Sequence, residues 1–368
     1  MSEKRIKKDC AAYDKIMLAI VFAMIVFGLI MIYSASAYTA ALHMGSEFYY
    51  IQRQILTVLM GTAAMVFMAS IDYHRLLKWS LPLYFLSVLL LAAVFVIGTA
   101  SHGQKRWIYI GSIGFQPSEF AKFILIIFLA SICSAAGPLM AKWKGVILMF
   151  LWVMPVAAMV MVTNLSTGII ILGIAFIMIF TASRQFIPFF ALTGMGVALM
   201  GVFLKLAAYR VDRIEAWLNV ETHPKGYQTR QSLYAIGSGG IFGKGYGRSI
   251  QKLAYVPEAH NDMIFSIICE EWGLFGASII VLLFILLIWR CMVIASKASD
   301  LAGALLVTGV AAHIGLQMMI NIAVVTNSIP NTGIPLPFIS YGGTSLIFLM
   351  CEIGLVQNIA RHGEGCIS

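Results

Sequence analysis

Residues 253–289 read LAYVPEAHNDMIFSIICEEWGLFGASIIVLLFILLIW, a polar approach that ends at Asp262 and gives way to an apolar run. The run exceeds the roughly 20 residues that a helix needs to cross the hydrocarbon core of a bilayer. It carries Glu270 and Glu271 within it, and Asp262 stands at its edge. Ionised groups at such places are costly to keep, so they usually mark where a membrane protein works.

The rest of the chain agrees with a membrane setting. Of 368 residues, 60% are hydrophobic and 11% charged, against about 25% charged in soluble domains. Apolar segments fall at about 15–36, 54–71, 80–99, 118–136, 146–163, 167–183, 188–208, 263–289, 301–324 and 339–360. The expected fold is therefore all-α, a single polytopic domain over residues 1–368 with about ten transmembrane helices. The first segment follows Lys4, Arg5, Lys7 and Lys8, but it is too long for the apolar core of a cleaved signal peptide and reads as a retained helix. Segments five and six are separated only by Thr163-Asn164-Leu165-Ser166, which also allows one interrupted helix or a re-entrant pair.

Basic residues set the orientation. Arg75, Lys78, Lys142, Lys144, Arg184, Arg290, Lys297 and Arg361 fall on one side, against chiefly Arg53, Lys105 and Arg106 on the other. The positive-inside rule then puts both termini, residues 1–14 and 361–368, in the cytoplasm and a long loop, 209–262, outside. That loop holds Arg210, Arg213, Lys225, Arg230, Lys244, Arg248 and Lys252 against Asp212, Glu215, Glu221, Glu258 and Asp262. It is too long for an idle connection and too rich in aromatic and aliphatic residues for disorder. Residues 228–236 read as a short interfacial helix, broken by Gly237-Ser238-Gly239-Gly240 before a turn through Gly243, Gly245 and Gly247.

Other chemistries are not supported. GKGYGRS at 243–249 lacks the spacing of a nucleotide-binding phosphate loop and no strand precedes it. The six cysteines show no C-x-x-C pair, so neither a disulfide framework nor a metal site is expected. No nucleic-acid partner is expected, because much of the +9 net charge sits in short connections that set topology.

Asp262 admits two readings, a helix N-cap or a general base beside cations that hold a phosphate leaving group. Glu270 and Glu271 lie about 12–13 Å further along the axis at ~1.5 Å per residue. A structural role suits at least one of them, with Lys122 or Arg106 as candidate ion-pair partners. In QPSEFAK at 116–122, Glu119 and Lys122 form an i,i+3 pair that either tethers the helix end or contributes to an anionic-lipid site. The run NTGIPLPFISYGGTS at 331–345, with Ser340 in it, is polar at membrane depth and reads as one wall of a cleft.

Together these motifs resemble one family. Tyr33-Ser34-Ala35-Ser36, Lys105-Arg106-Trp107-Ile108, QPSEFAK, QSLYAIGSGGIFGKGYGRS at 231–249, LAYVPEAHNDMIF at 253–265 and PLPFISYGGTS at 335–345 occur in the order found in SEDS proteins (shape, elongation, division and sporulation). This is the group of FtsW, RodA and SpoVE, and the start of the chain looks more like the FtsW and SpoVE branch. The resemblance spans roughly residues 14–361. It implies a glycosyltransferase in the cytoplasmic membrane of a bacterium that polymerises lipid II into peptidoglycan strands at the outer face. Its implied partners are a class B penicillin-binding protein and other divisome or sporulation membrane proteins. It implies Asp262 as the catalytic residue, and Lys105, Arg106, Lys122 and Arg213 as basic positions for the pyrophosphate; Arg248 and His260 join them as candidate substrate contacts. Glu119, Glu270, Glu271 and Ser340 are expected to shape the cavity. No cofactor is required, although a divalent cation at the pyrophosphate is compatible with this chemistry. Where the family often has Pro-Asp-Leu-Gly-Thr, this chain has Thr163-Asn164-Leu165-Ser166-Thr167, which argues against a metal or proton role at Asn164. The rival reading is a lipid II flippase, with the buried acids as relays.

Overall fold

The computed structural model describes residues 13–362 apart from 102–103, 111–112, 184, 186, 192–193, 195 and 197–207. The helices are α1 Lys15–Met44, α2 Tyr49–Ser70, α3 Tyr73–Lys78, α4 Ser80–Ile97, α5 Pro117–Ala135 and α6 Trp143–Thr163. They continue with α7 Leu165–Ala182, α8 Ala208–Leu218, α9 Tyr227–Gly239, α10 Ile264–Ser296, α11 Leu301–Val325 and α12 Gly343–Arg361. Among the described residues, all but α3, α8 and α9 are long and apolar enough to cross a membrane, nine helices in total. The expected segment at 188–208 lies mostly outside the described residues. One feature departs from the all-α expectation: β1 Thr99–Ser101, β2 Gln104–Ile110 and β3 Ile113–Phe115 form an antiparallel meander between α4 and α5.

The centre of the bundle is α5, α11 and α12, which are much more buried than α2 or α4. Helices in lipid gain little from apolar burial alone, so close backbone approach matters. The α2–α12 contact shows how this is met. A Cβ on Gly354 would fall 2.3 Å from the Met65 carbonyl oxygen, so only glycine allows the two backbones to touch there. Asn358 adds polar fixation at the far end, donating to Ala69 O at 2.9 Å and accepting from Tyr73 N at 3.2 Å.

The junction of the fifth and sixth apolar segments is two packed helices, α6 and α7, rather than one interrupted helix. Asn164 is the whole break: its backbone is extended, and its side chain accepts from Thr167 N at 3.4 Å to cap α7. The neutral amide is therefore used as a helix start, a role Asn fills well.

The apolar run after Asp262 hides a second break. Gly273 has φ 66° and ψ −166°, a conformation open to glycine alone, and it interrupts α10. An interruption at membrane depth strands backbone donors and acceptors unless protein supplies partners. Here residues 240–245 supply them. Leu274 N and Phe275 N donate to Gly240 O and Ile241 O at 2.9 and 3.0 Å, while Glu270 O and Glu271 O accept from Lys244 N and Gly245 N, both at 2.9 Å. The glycine turn after α9 is thus a plug for a broken helix.

Candidate active site

Three connecting regions meet at one end of the bundle: the β-meander, the passage from α8 to Asp262, and the segment between α11 and α12. They enclose a cavity of about 650 Å³. Arg106 and Trp107 come from β2, Arg213 from α8, Gln228 from α9, and Asn331 to Pro335 from the segment before α12. The floor is the start of α5, with Glu119 and Lys122, and Gln317 of α11.

Asp262 lies in this wall, one residue before the Met263 that caps α10. The N-cap reading is thereby corrected, since the cap position belongs to Met263, which makes no side-chain cap bond. Among the described residues Asp262 has no ion pair. Its Oδ1 accepts from Gln228 Nε2 at 3.4 Å, and Gln228 Oε1 accepts from Asn331 Nδ2 at 3.0 Å. Arg213 Nη1 donates to Asn331 O at 3.3 Å, so one chain of contacts runs from a cation to the carboxylate. A Cβ on Gly333 would lie 3.5 Å from Asp262 Oδ2, leaving that oxygen close to bare backbone. Burial, with the negative charge of Glu258 added, pushes the Asp262 carboxyl up to about 7. A carboxylate tuned to that range can take a proton near neutrality.

Lys122 is almost wholly buried, its Nζ 2.9 Å from Glu119 Oε1 and 3.3 Å from Gln317 Oε1. Gln317 belongs to a polar stripe on α11 that sequence reading missed: His313, Gln317 and Asn321, spaced by four. Asn321 Nδ2 donates to Asp262 O at 2.8 Å and to Ile334 O at 2.7 Å, fixing the backbone of the carboxylate. The signal was present in the sequence, because polar residues at i, i+4 and i+8 of an apolar helix share one face. Thr332 Oγ1 and Asn321 Oδ1 are buried there without a hydrogen-bond partner among the described residues. Thr332 lines the cavity, where an unmet hydroxyl is costly and favours a ligand bearing hydroxyl or amide groups, whereas Asn321 lies outside the lining.

Asp262, Arg106, Lys122, Arg213 and Glu119 thus come together around the cavity. The other candidate residues lie elsewhere. Lys105 donates through Nζ to Phe95 O at 3.1 Å and Val96 O at 3.4 Å, tying down the end of α4. Arg248 is exposed in the glycine turn. His260 is buried with its ring 4.2 Å from that of Tyr50, outside the cavity lining, and burial pulls its pKa below the ordinary value. Ser340 Oγ accepts from Leu336 N at 2.7 Å and shapes the turn before α12.

Glu270 and Glu271 face away from the cavity, and their partners are neither Lys122 nor Arg106. Lys244 Nζ sits 2.7 Å from Glu270 Oε1, and Lys252 Nζ 2.9 Å from Glu271 Oε1. Arg106 Nε instead donates to Thr163 O at 2.9 Å. Ser34 of α1 donates to Glu271 Oε1 at 2.7 Å and accepts from Lys252 Nζ at 2.9 Å. Ser249 Oγ bonds to Glu270 as well. The loop lysines are drawn inward because two carboxylates buried at a helix break need charge and hydrogen bonds. Among the described residues, Asp212, Glu215 and His223 form the one group of three that brings metal-ligating atoms together, all within 4.8 Å. Asp212 is also paired with Lys225, which holds its carboxyl below the usual range.

With this geometry in place, comparison with known proteins is decisive. Residues 14–365 match the FtsW/RodA/SpoVE model, described as a cell cycle protein. The chain belongs to the FtsW/RodA/SpoVE family. Stage V sporulation protein E of Bacillus subtilis (strain 168) is 38% identical over 358 residues, covering 95% of this chain and 98% of that protein. A Geobacter sp. (strain M18) protein named "Probable peptidoglycan glycosyltransferase FtsW" is also 38% identical, over 366 residues, 96% of this chain and 98% of that one. Among solved structures, a chain of a peptidoglycan synthase complex superposes with a TM-score of 0.81 at 28% identity, covering 95% of this chain and 98% of that chain. The crystal structure of Thermus thermophilus rod shape determining protein RodA gives 0.73 at 26% identity, with 95% and 97% covered. The FtsW/RodA/SpoVE fold and the multi-pass membrane character of the chain are therefore established together.

Proposed function

We propose that this chain is a peptidoglycan glycosyltransferase that polymerises lipid II, and that the transfer takes place in the cavity walled by Asp262. One observation carries the reading: a buried carboxylate with no ion pair among the described residues, tuned to about 7, faces the same cavity as Arg106, Lys122 and Arg213. In the transfer, Asp262 takes the proton of the acceptor sugar hydroxyl as its oxygen attacks the anomeric carbon of the donor. The bond from that carbon to the lipid diphosphate breaks, and the electron pair leaves with the diphosphate. Lys122, Arg106 and Arg213 stabilise its charge. Single displacement inverts the anomeric carbon, and no covalent intermediate or nucleotide is involved. Thr332 Oγ1, in the cavity wall, offers a partner to sugar hydroxyls.

No cofactor is required in this mechanism. Among the described residues, a divalent cation would find a group of three ligands in Asp212, Glu215 and His223, which do not line the cavity themselves but neighbour the lining residues Arg213, Ala216 and Lys225 in the chain. The cavity opens on the extracytoplasmic side of the cytoplasmic membrane, both termini lie in the cytoplasm, and a class B penicillin-binding protein cross-links the strands. The setting is cell division or sporulation.

A base must be ionised to act, so the rate follows deprotonation of Asp262. The value of kcat/KM for polymerisation is expected to rise with pH through a single ionisation near 7 and level off above it. A profile flat between about pH 5 and 9 would remove Asp262 as the base. Transport of lipid II is the second reading, because carriers build their sites on broken helices and α10 is broken at Gly273. Both broken ends, however, are filled by residues 240–245 instead of opening on a cavity. In liposomes given lipid II on the extracytoplasmic face, strand formation supports the polymerase, and flipping without polymer supports the carrier.

A further inference from the structure

The assignment of Lys122 to the diphosphate leaves a difficulty, since a buried ammonium beside Glu119 should be consumed by that carboxylate. The structure shows what prevents this. Gln317 donates through Nε2 to Pro335 O at 3.0 Å, which fixes its amide and turns Oε1 to both Lys122 Nζ, at 3.3 Å, and His313 Nε2, at 3.0 Å. An oxygen has nothing to donate, so His313 Nε2 carries a hydrogen and points it at Gln317. On the other side of the ring, Nδ1 is 2.8 and 2.9 Å from the two oxygens of Glu352. His313, Gln317 and Glu352 are each no more than 1% exposed. The chain Glu352–His313–Gln317–Lys122–Glu119 thus runs from the bundle interior to the cavity floor, and only its last three members line the cavity.

We propose that Gln317, held by His313 and Glu352, is a positioning residue that keeps Lys122 divided between an amide oxygen and Glu119, so that its ammonium remains free to turn to an anionic diphosphate. The inference rests on the reading that Lys122 meets the lipid diphosphate. Without Gln317, Lys122 settles on Glu119 alone, and the donor must break the full ion pair to bind. The cost falls on binding, and the chemistry at Asp262 is untouched.

The test is a kinetic cycle on the full-length protein with purified lipid II. Gln317→Leu is expected to raise KM for lipid II about tenfold with kcat within about twofold, the scale of one hydrogen bond to a charged group. His313→Leu is expected to raise KM by a smaller factor. The double variant should match Gln317→Leu alone, because His313 acts only through Gln317. Additive losses in the double variant, or a fall in kcat with KM unchanged, would overturn the proposal. If the leucine variants fail to fold, Gln317→Glu keeps the size of the side chain and gives Lys122 a second carboxylate. It too is expected to raise KM, and an unchanged KM would overturn the proposal. Lys122→Gln separates this inference from the reading beneath it. An unchanged KM there removes Lys122 from the diphosphate altogether, whereas a raised KM with none in Gln317→Leu sinks the positioning role alone.

Discussion

Glu271→Ala is expected to destabilise the protein by about 3–5 kcal/mol, seen as a lower midpoint of thermal unfolding in detergent, because it strands a buried lysine without its counter-charge. The Glu271 side chain is fully buried and that of Lys252 is 10% exposed, so water can do little to replace the lost partner. The same change removes acceptors for Ser34 Oγ and Lys252 Nζ, loosening α1, the glycine turn and α10 at once. Replacing both charges, Glu271→Leu with Lys252→Met, is expected to recover most of the loss, since apolar side chains of similar volume often match a buried ion pair. A double variant as unstable as the single one would show that the pair supplies more than charge balance. The location also matters: the pair sits beside the interruption at Gly273, so the glycine turn that closes the helix break would separate with it.

The parts of this architecture that depend on length and composition could be read directly from the sequence. Nine apolar segments became helices, because a bilayer fixes the length of apolar chain that crosses it; most ends fall within about five residues of the expected ones, while α1 and α10 run eight and seven residues further, to Met44 and Ser296. The start of α5 was equally legible, as Glu119 and Lys122 are three residues apart and pair through one turn. Contacts between distant elements were not. Lys244 and Glu270 are 26 residues apart, and Lys252 and Glu271 are 19 apart, so nothing local ties them. Their pairing depends on the break at Gly273, and the sequence EEWG reads as continuous helix until the turn that replaces its hydrogen bonds is known. His260 read as a candidate substrate contact, yet it packs against the rings of Tyr50 and Tyr341, and burial pulls its pKa down. The β-meander was missed because residues 99–115 are too short and too mixed in pattern to declare strands before they pair.

Asp262→Asn is expected to lower kcat for lipid II polymerisation by about 10²–10⁴-fold, the contribution of a positioned general base. Unfolding does not explain such a loss, because the same change should leave stability intact or raise it at alkaline pH. With a carboxyl pushed up to about 7 in the fold against an ordinary value of 3.8, the folded state keeps a proton that the unfolded chain has released. The stability that this proton contributes is present below about pH 4 and lost as pH rises through 7. Asparagine avoids that loss and can still accept from Gln228, so at pH 8 the variant should unfold at or above the wild-type temperature.

The most direct measurement is the initial rate of glycan-strand formation by wild-type and Asp262→Asn protein. Both are purified alongside a class B penicillin-binding protein whose cross-linking activity is blocked, and supplied with lipid II at pH 8. Strands from the wild type and almost none from an equally stable variant are the expected result. Strand formation that is undiminished in the Asp262→Asn protein would contradict the account.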